Sequence, residues 1–287
     1  MNDFYPKSSL LSGADEILKI HRMSPQSPAG LHSHEFHELV LITRGRGIHF
    51  TEEERYQIRA GDMFLIWPGR PHGYAETEKL ELINILYMPE QLNFPDLDLK
   101  SQSGYYAFFE LEPRLRREHS FKSRLRLSEL ELLEAENIIW QIERELEGKK
   151  GAFHYMAASF FMSFRGMVAR WYSGQKSLHS RKLLELASLM SFINRNFEKP
   201  LSIDILASKA GMSISTLSRT FRRAFAYSPM EYVIRKRIAR ACELLSASNL
   251  TISEIASKTG FSDSNFFSRQ FRKVKGISPR EFRKFGA

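Results

Sequence analysis

Short apolar runs separated by turn residues fill the first third of the chain. Each run is either apolar throughout or alternating, as in β-strands. The runs are residues 38–43, 47–51, 55–58, 63–67 and 80–87. Turn residues separate them at 44–47, 60–62 and 68–71. This pattern predicts a small antiparallel barrel or sandwich, to which residues 105–111 add a late strand.

From residue 126 onwards the apolar positions recur at helical spacing. Residues 126–148 carry more apolar surface than one core-facing stripe needs. A Gly-Lys-Lys-Gly sequence at 148–151 ends this helix, and an aromatic-rich helix follows at 152–172. So short a connection predicts an antiparallel hairpin. The hairpin either covers one side of the barrel or pairs with a second subunit; both roles are compatible, and the surplus apolar surface favours a homodimer.

The last third of the chain contains one helical pattern twice. The first copy contains Ala207, Gly211, Arg219, Phe221-Arg222 and Ser228-Pro229. The second contains Ala256, Gly260, Arg269, Phe271-Arg272 and Ser278-Pro279. The offset between copies is 49 up to the glycine and 50 after it, so one residue enters after the turn. The repeat predicts two tandem helix-turn-helix units.

The organisation that follows is that of an α+β protein. A polar Ser-Gly-Gln-Lys-Ser sequence at 173–177 is typical of a flexible linker. The predicted domains are a small antiparallel barrel at 1–125, a helical hairpin at 126–172, a linker at 173–179 and an all-α domain at 180–287. Within the last domain, a helix at 231–245 joins the two helix-turn-helix units.

Charge is distributed according to the same division. The 287 residues carry a net charge of +9, and residues 178–287 hold 20 Lys and Arg against 8 Asp and Glu. The rest of the chain is slightly acidic. Because the basic excess coincides with the helix-turn-helix repeat, we predict a DNA-binding surface there.

Composition excludes several other classes of site. Cys242 is the only cysteine, which rules out an internal disulfide and a cysteine-rich zinc site. Its apolar neighbours predict a buried structural thiol. No segment approaches the roughly 18 apolar residues of a membrane span, and the N-terminus lacks the pattern of a signal peptide. We therefore expect a cytoplasmic protein with no membrane partner.

The second helix of each unit carries polar side chains suited to DNA. Ser202, Ser213 and Thr251 are the predicted N-caps, and Gly211 and Gly260 the turns. The side chains predicted to contact bases are Ser215, Ser218, Arg219, Ser264, Asn265, Ser268 and Arg269. Those predicted to contact phosphates are Arg222, Arg223, Arg272 and Lys273. Because Arg can grip guanine and Asn can grip adenine, the second helix is expected to discriminate bases more than the Ser-rich first.

These motifs resemble the AraC/XylS family of bacterial transcription regulators. The resemblance is carried by residues 210–213, 221–223, 255–256, 260–263, 266–273 and 276–279. It implies a regulator that binds promoter DNA, contacts RNA polymerase and activates transcription. One departure is Ala226, which stands where the family usually has glycine and is expected to strain the turn slightly.

The first domain carries a second resemblance. The spacing His32-x-His34-x3-Glu38-x6-Gly45, followed by Gly61-Asp62 and Gly69-x2-His72, is similar to the two cupin motifs. The second motif departs from the family pattern at Trp67 and Glu76. In a strand, His32, His34 and Glu38 share parity and point to one face. The candidate effector-binding residues are His32, His34, Glu38, Trp67, His72 and Tyr74.

Three roles are open for this cluster. Three imidazoles and a carboxylate suit a divalent transition metal, so His32, His34, Glu38 and His72 are the ligands of an alternative metalloenzyme or metal sensor. The same groups can instead hydrogen-bond a small polar effector. They can also be buried histidines satisfied by the backbone or water. The fused DNA-binding domain favours effector sensing, without a cofactor or an enzymatic activity.

The order of cupin, hairpin and double helix-turn-helix also resembles the sugar-responsive branch of the family, which includes the rhamnose regulators. Residues 82–90 add to that resemblance. It implies a carbohydrate effector. The expected assembly is a homodimer joined through its hairpins, which engages two similar half-sites in promoter DNA.

Overall fold

The computed structural model describes residues 3–5, 17–92, 98–116, 122 and 124–285. It separates into two units, residues 1–187 and 188–287. The first unit contains the sheet and the hairpin, and the second contains both helix-turn-helix units. The division falls inside the helix Leu178–Asn196.

The first unit is built on one sheet. Its strands in the described residues are β1 (Asp3–Tyr5), β2 (Leu18–Met23), β3 (Ala29–His34), β4 (His37–Phe50), β5 (Arg55–Arg59), β6 (Asp62–Ile66), β7 (His72–Tyr87) and β8 (Leu125–Arg126). β4 and β7 pair along almost their whole length, β2 and β3 add to β7, and β5 and β6 add to β4. Except for β1 with β3, these pairs are antiparallel. The predicted antiparallel sheet domain is confirmed.

Both faces of this sheet are buried along the first half of β4 and the second half of β7. Inner-face side chains from four strands meet in one cluster, so the sheet curls over itself. The cluster contains Val40, Ile42, Tyr56, Ile58, Phe64, Ile66, Tyr74, Leu80 and Leu82. Intervening residues such as Leu39, Leu41 and Ile85 are fully buried on the outer face. Double burial explains why 38–43 and 80–87 are almost continuous apolar runs.

The expected turn at 44–47 is wrong, because the predicted strands 38–43 and 47–51 are one strand, β4. The register between β4 and β7 shifts at Arg44 and Arg46. Between them, Gly45 has a φ of +73°, and a Cβ added there would collide with the carbonyl of Lys79. Glycine at this point therefore permits a bulge inside a long strand, and not a connection between two strands.

The late strand expected at 105–111 is also wrong. After α1 (Pro89–Leu92) and a 3-10 turn at Leu99–Ser101, the chain forms α2 (Ser103–Tyr105), a π-helix at Tyr106–Leu111 and α3 (Glu112–Leu115). Gly104 approaches Ala169 so closely that a Cβ would collide with the Ala169 carbonyl. A short apolar run does not by itself distinguish a strand from a buried helix, which is the reason for the error.

The predicted hairpin consists of α4 (Glu129–Gly148) and α5 (Phe153–Ser173). Ser128 and Glu131 form a capping box at the start of α4. The buried side chains are Ala135, Ile138, Ile139 and Ile142 on α4, and Ala157, Phe161, Phe164, Val168, Ala169 and Tyr172 on α5. Both helices are therefore amphipathic, with their other faces open to solvent.

The second unit is helical. It contains α6 (Leu178–Asn196, shared with the first unit), α7 (Ile203–Ala210), α8 (Ile214–Phe225), α9 (Pro229–Ala247), α10 (Ile252–Lys258), α11 (Ser264–Lys275) and α12 (Pro279–Phe285). Ser202, Ser213 and Thr251 cap helices as predicted, and Asp263 caps α11. Gly211 has a φ of +61° at the first predicted turn. No helix in the described ranges is long and apolar enough to cross a membrane.

Cys242 lies on α9 and is half-buried, less than the full burial expected from its neighbours. It packs against the apolar cluster that α9 shares with α10 and α11. Burial raises the pKa of its thiol, which disfavours the reactive thiolate. This environment agrees with a structural thiol.

Ala226 ends α8 in the left-handed conformation, with a φ of +63°, as Gly276 does at the matching end of α11, with a φ of +80°. Replacing Ala226 with Gly is expected to stabilise the protein by about 0.5–1 kcal/mol, because relief of left-handed strain exceeds the extra chain entropy of glycine. Gly276→Ala is the matched control, since a Cβ there meets nothing within 4 Å. It should destabilise by a similar amount in urea denaturation followed by circular dichroism. Changes of the same sign in the two variants would contradict this account.

Candidate functional site

A cavity of about 360 Å³ opens on the inner face of the sheet, and we call it the inner cavity. Residues from β2, β3, β4 and β7 and from the connections between β2, β3 and β4 line it. They are His21, Met23, Gln26, Ala29, Gly30, His32, His34, Phe36, Glu38, Tyr74, Asn84 and Leu86. Its polar lining is concentrated where the cupin-like residues meet, so these residues decide what it can bind.

Two histidines and one carboxylate form the centre of this cluster. The Nε2 atom of His34 lies 2.8 Å from Oε2 of Glu38, and Nε2 of His72 lies 3.3 Å from the same oxygen. All three side chains are at least 94% buried. Potential ligand atoms of the three residues lie within 4.8 Å of one another.

Backbone hydrogen bonds fix which nitrogen of each imidazole, His34 and His72, carries a proton. Nδ1 of His34 donates to the carbonyl of Phe36 at 2.8 Å, and Nδ1 of His72 donates to the carbonyl of Arg70 at 3.0 Å. Because a carbonyl only accepts, Nδ1 must carry a proton in each ring. When either ring is neutral, its Nε2 therefore presents a lone pair to Glu38.

The charge on Glu38 follows from two opposing effects. Burial by itself raises the pKa of the Glu38 carboxyl, but hydrogen bonds from His34 and His72 outweigh burial and hold that pKa well below its usual range. The carboxylate thus accepts hydrogen bonds, and two imidazole nitrogens converge on it. This arrangement is satisfied either by imidazolium protons or by a cation held between the three groups.

The structure brings five of the six candidate effector residues together. The rings of His32 and His72 are 4.2 Å apart. Tyr74 lines the inner cavity, and its buried hydroxyl has no hydrogen-bond partner among the described residues. Trp67 is elsewhere: it follows β6 on the outer side of the sheet, with the Arg114 guanidinium 4.3 Å from its ring centroid.

Polar residues that were not predicted from the sequence also line the inner cavity. Asn84 pairs in register with His21 across β7 and β2. Its buried Oδ1 has no hydrogen-bond partner within the part of the chain that is described. The sequence does carry a signal for Asn84: it is a single amide inside the apolar run 80–87, and a buried polar group needs a hydrogen-bond partner, which a ligand can supply. Gln26, which is 7% exposed, is the third polar lining residue that was not predicted, after His21 and Asn84.

Recognition helices α8 and α11 present most of the predicted DNA-contacting side chains to solvent. The exposed residues are Ser215, Arg219, Arg222, Arg223, Asn265, Arg269, Arg272 and Lys273. Ser218, Ser264 and Ser268 are half-buried. The Ser268 hydroxyl donates to the Ser264 carbonyl at 2.9 Å, so this serine is already engaged within its own helix.

An aromatic residue on α11 was not selected from the sequence. Phe266 is 38% exposed, and the Arg269 guanidinium lies 5.9 Å from its ring centroid. The signal was the doubled Phe266-Phe267, because two adjacent residues of a helix cannot both face its core, and Phe267 is the fully buried one. An exposed ring beside an Arg can contact a thymine methyl group while it orders the guanidinium.

The second helix-turn-helix unit is anchored to the end of α6. Arg237 on α9 donates to the carbonyls of Phe197 at 2.7 Å and Lys199 at 2.9 Å. Its guanidinium also lies 5.5 Å from the ring centroid of Phe261, which follows the turn at Gly260. These contacts hold the turn of the second unit in place against the segment after α6.

Two family models match the chain. The model described as "Helix-turn-helix domain" matches residues 206–284. The model described as "AraC-like ligand binding domain" matches residues 16–147. The first includes both recognition helices, and the second includes the inner cavity and most of α4.

Relatives named "HTH-type transcriptional activator RhaR" match nearly the whole chain. The protein from Cronobacter sakazakii is 32% identical over 266 residues, which are 90% of this chain and 88% of the relative. The protein from Mannheimia succiniciproducens is 27% identical over 266 residues, 93% of this chain and 91% of the relative. A solved AraC-type transcriptional regulator from Chromobacterium violaceum is 34% identical, covers 36% of this chain and 92% of its own, and has a TM-score of 0.34.

Proposed function

This chain belongs to the AraC family of DNA-binding transcriptional activators with a ligand-binding domain, and from that membership we propose that it activates transcription when a small sugar binds in the inner cavity. The observation that carries this proposal is the polar centre of that cavity. Glu38 offers acceptors, while Asn84 and Tyr74 offer buried polar atoms without partners among the described residues. A sugar hydroxyl can both donate and accept, so it suits all three groups.

Size and family support the same occupant. The volume of about 360 Å³ falls in the range of about 300–1,000 Å³ that small-molecule sites occupy. The relatives named RhaR favour a sugar effector. A bound sugar would act by changing the relative affinity of two arrangements of the DNA-binding domains.

A thermal-shift screen of neutral sugars and sugar acids tests the proposal. A sugar at 100 times its dissociation constant should stabilise the protein by about 2.7 kcal/mol. The same sugar should give little shift with Asn84→Leu, which removes the amide as a hydrogen-bond partner. The shift should be reduced with Glu38→Gln, which replaces a charged acceptor with a neutral amide. Trp67→Phe, outside the inner cavity, is the matched control and should retain the full shift. A screen in which no sugar or sugar acid raises the melting temperature would contradict the proposal.

A metal ion is the second candidate for the same centre, because the Nδ1 bonds leave Nε2 of His34 and His72 available beside Glu38. His32 is the fourth predicted ligand. These residues fit a divalent transition metal, which would hold an oxygen-rich effector. The family consists of regulators, so this alternative concerns sensing and not catalysis. Stoichiometric metal in purified protein that is lost in His34→Ala would favour this alternative over direct hydrogen bonding.

The hairpin supports a homodimer. Among the described residues of the first unit, all but one of the exposed large apolar side chains lie on the two hairpin helices: Leu130, Leu133, Trp140, Tyr155 and Met156. The exception is Leu178, at the start of α6. Leu130, Leu133 and Trp140 fall on one face of α4, with the exposed Asn137 between them. Two copies of this stripe packed antiparallel about a two-fold axis would place Leu130 opposite Trp140 and Leu133 opposite Asn137, which covers the exposed apolar side chains of both copies.

Leu133→Glu is expected to make the protein monomeric, because it puts a charge at the centre of the stripe. Leu133 is 64% exposed, so the substitution should not disturb the monomer fold. Leu178→Glu is the matched control, since Leu178 is 62% exposed but lies outside the hairpin. Sedimentation velocity at micromolar concentration, with and without effector, measures the result. A wild-type monomer under both conditions would remove the dimer from the proposal.

The dimer would act on promoter DNA in the cytoplasm. We propose that its two DNA-binding domains bind two similar half-sites arranged as direct repeats. The helix α9 joins the two recognition helices of each chain; if they are held about 34 Å apart, one chain reads two successive major grooves. Contact with RNA polymerase would then convert binding into activation.

A further inference from the structure

A second, larger cavity lies on the outer side of the sheet. Its volume is about 570 Å³, and we call it the outer cavity. His37 and Tyr87, at paired ends of β4 and β7, contribute from the sheet. Since Glu38 faces inward, its neighbour His37 points to the opposite face. The two cavities are therefore separated by the sheet itself, and neither the cupin motif nor the proposed sugar site uses the outer one.

Two buried nitrogens in the outer cavity have no hydrogen-bond partner among the described residues. They are Nδ1 of His37 and Nε1 of Trp67. The indole N–H can only donate, so it requires an acceptor. The Nδ1 atom of an imidazole can donate as well. Both groups can thus direct a hydrogen bond to an acceptor placed between them, and their ring centroids are 6.3 Å apart.

The walls around these nitrogens are aromatic. Tyr87, Tyr105 and Phe109 are each at least 93% buried and line the cavity. The rings of Tyr105 and Phe109 lie 5.1 Å apart with a 32° tilt and form an aromatic wall of the cavity. An aryl ring packs favourably against such a wall in an offset or edge-to-face arrangement.

Positive charge borders the same space. The Arg114 guanidinium lies over the Trp67 ring, and the Arg165 guanidinium lies 5.6 Å from the Tyr105 ring centroid. Among the described residues that line the cavity, three side chains are cationic, Lys100 being the third, and two are carboxylates, Glu90 and Glu110. Glu110 pairs with Arg114 at 3.4 Å. The described lining thus holds one more cationic group than anionic groups, which suits a monoanion.

We propose that the outer cavity is a second ligand site, which binds a small aryl carboxylate. The carboxylate accepts the Trp67 indole hydrogen bond near Arg114, and the aryl ring packs against Tyr105 and Phe109. Arginine suits a carboxylate through its paired donors, and aromatic walls suit an aryl ring. Because Arg165 belongs to α5, the bound ligand also ties the hairpin to the outer face of the sheet.

Isothermal titration of the full chain with cinnamate tests the site. Trp67→Phe keeps the aromatic ring but removes the donor, and it should weaken cinnamate binding by about 10- to 100-fold, the range for a hydrogen bond to a charged group. Arg114→Gln should weaken it about tenfold or more. His34→Ala, in the inner cavity, should leave cinnamate affinity unchanged. Uncharged cinnamamide should bind much more weakly than cinnamate to the wild-type protein.

A measurement on the wild-type protein does not depend on the folding of any variant. Of the three tryptophan indole N–H signals in a ¹⁵N-labelled chain, only that of Trp67 should move when cinnamate is added. The proposal is overturned if cinnamate fails to bind, if cinnamamide binds equally well, or if the Trp67 signal does not respond. A sugar response with no cinnamate response would retain the inner site and remove the outer one.

Discussion

Gly260→Ala is expected to destabilise the DNA-binding unit by about 2–4 kcal/mol, one of the largest effects that a single methyl group can have in this chain. Gly260 has a φ of +86°. A Cβ added there would lie 2.6 Å from the carbonyl oxygen of Glu198 and 2.9 Å from its Cα. These are backbone atoms, which cannot rotate away as the end of a side chain could. The substitution therefore combines left-handed strain with a collision.

Gly211→Ala provides the matched control for this prediction. Gly211 occupies the same position in the first helix-turn-helix unit, with a φ of +61°, but a Cβ there meets nothing within 4 Å. It should cost only the left-handed strain less the chain entropy that glycine loses on folding, about 0.5–1 kcal/mol, as for Gly276→Ala. Urea denaturation followed by circular dichroism gives both values, and their difference isolates the collision. Equal destabilisation by the two variants would contradict this prediction, because it would mean that the Glu198 backbone moves away from the new methyl group without loss of stability.

This asymmetry between the two glycines also has a functional consequence. The second turn is wedged against the segment after α6, where Arg237 donates two further hydrogen bonds. The first turn has no such backbone contact at Gly211. We expect Gly260→Ala to reduce DNA affinity at temperatures where the wild type is still folded, because the second recognition helix loses its support.

Much of this fold could be predicted from the sequence, since its signals are local. The repeat places both turns and both recognition helices, and the caps at Ser202, Ser213 and Thr251 follow from side chains that bond their own helix. The contact between Gly260 and Glu198 could not be predicted. It joins segments about 60 residues apart, and nothing in either segment encodes the other.

In the candidate site, too, local patterns could be predicted and the effects of distant contacts could not. Strand parity correctly brings His32, His34 and Glu38 together. Parity would place the odd-numbered His49 on the outer face, opposite Glu38. The structure instead buries His49 fully, with its ring 5.8 Å from that of His72. The bulge at 44–46 changes which residues of β4 face inward, so an odd-numbered residue joins even-numbered ones. A one-residue shift of this kind reverses every later side chain of a strand.

Arg269→Ala and Lys273→Ala are expected to weaken DNA binding in two different ways, although the residues are one helical turn apart on α11. Both side chains are exposed. Arg269, at the middle of α11, has its guanidinium near the ring of Phe266, and an exposed guanidinium on a recognition helix can read a base edge. Its loss should cost about 1–3 kcal/mol at one position of the site and relax the preference there. Lys273 is placed to contact phosphate, so its loss should weaken all sequences alike and lower the salt slope by about one.

The test begins with selection of a preferred site from random DNA by the purified protein. Fluorescence anisotropy then measures each variant on that site, on single-base changes within it and over a series of salt concentrations. Arg219→Ala and Arg223→Ala are the matched pair on α8 and report whether the first helix relies more on phosphates, as its serines suggest. If Arg269→Ala and Lys273→Ala give the same loss on every sequence and the same change in salt slope, the division between base reading and phosphate contact is wrong. If Arg269→Ala relaxes base preference more than Arg219→Ala does, the second helix-turn-helix unit carries the larger share of sequence discrimination.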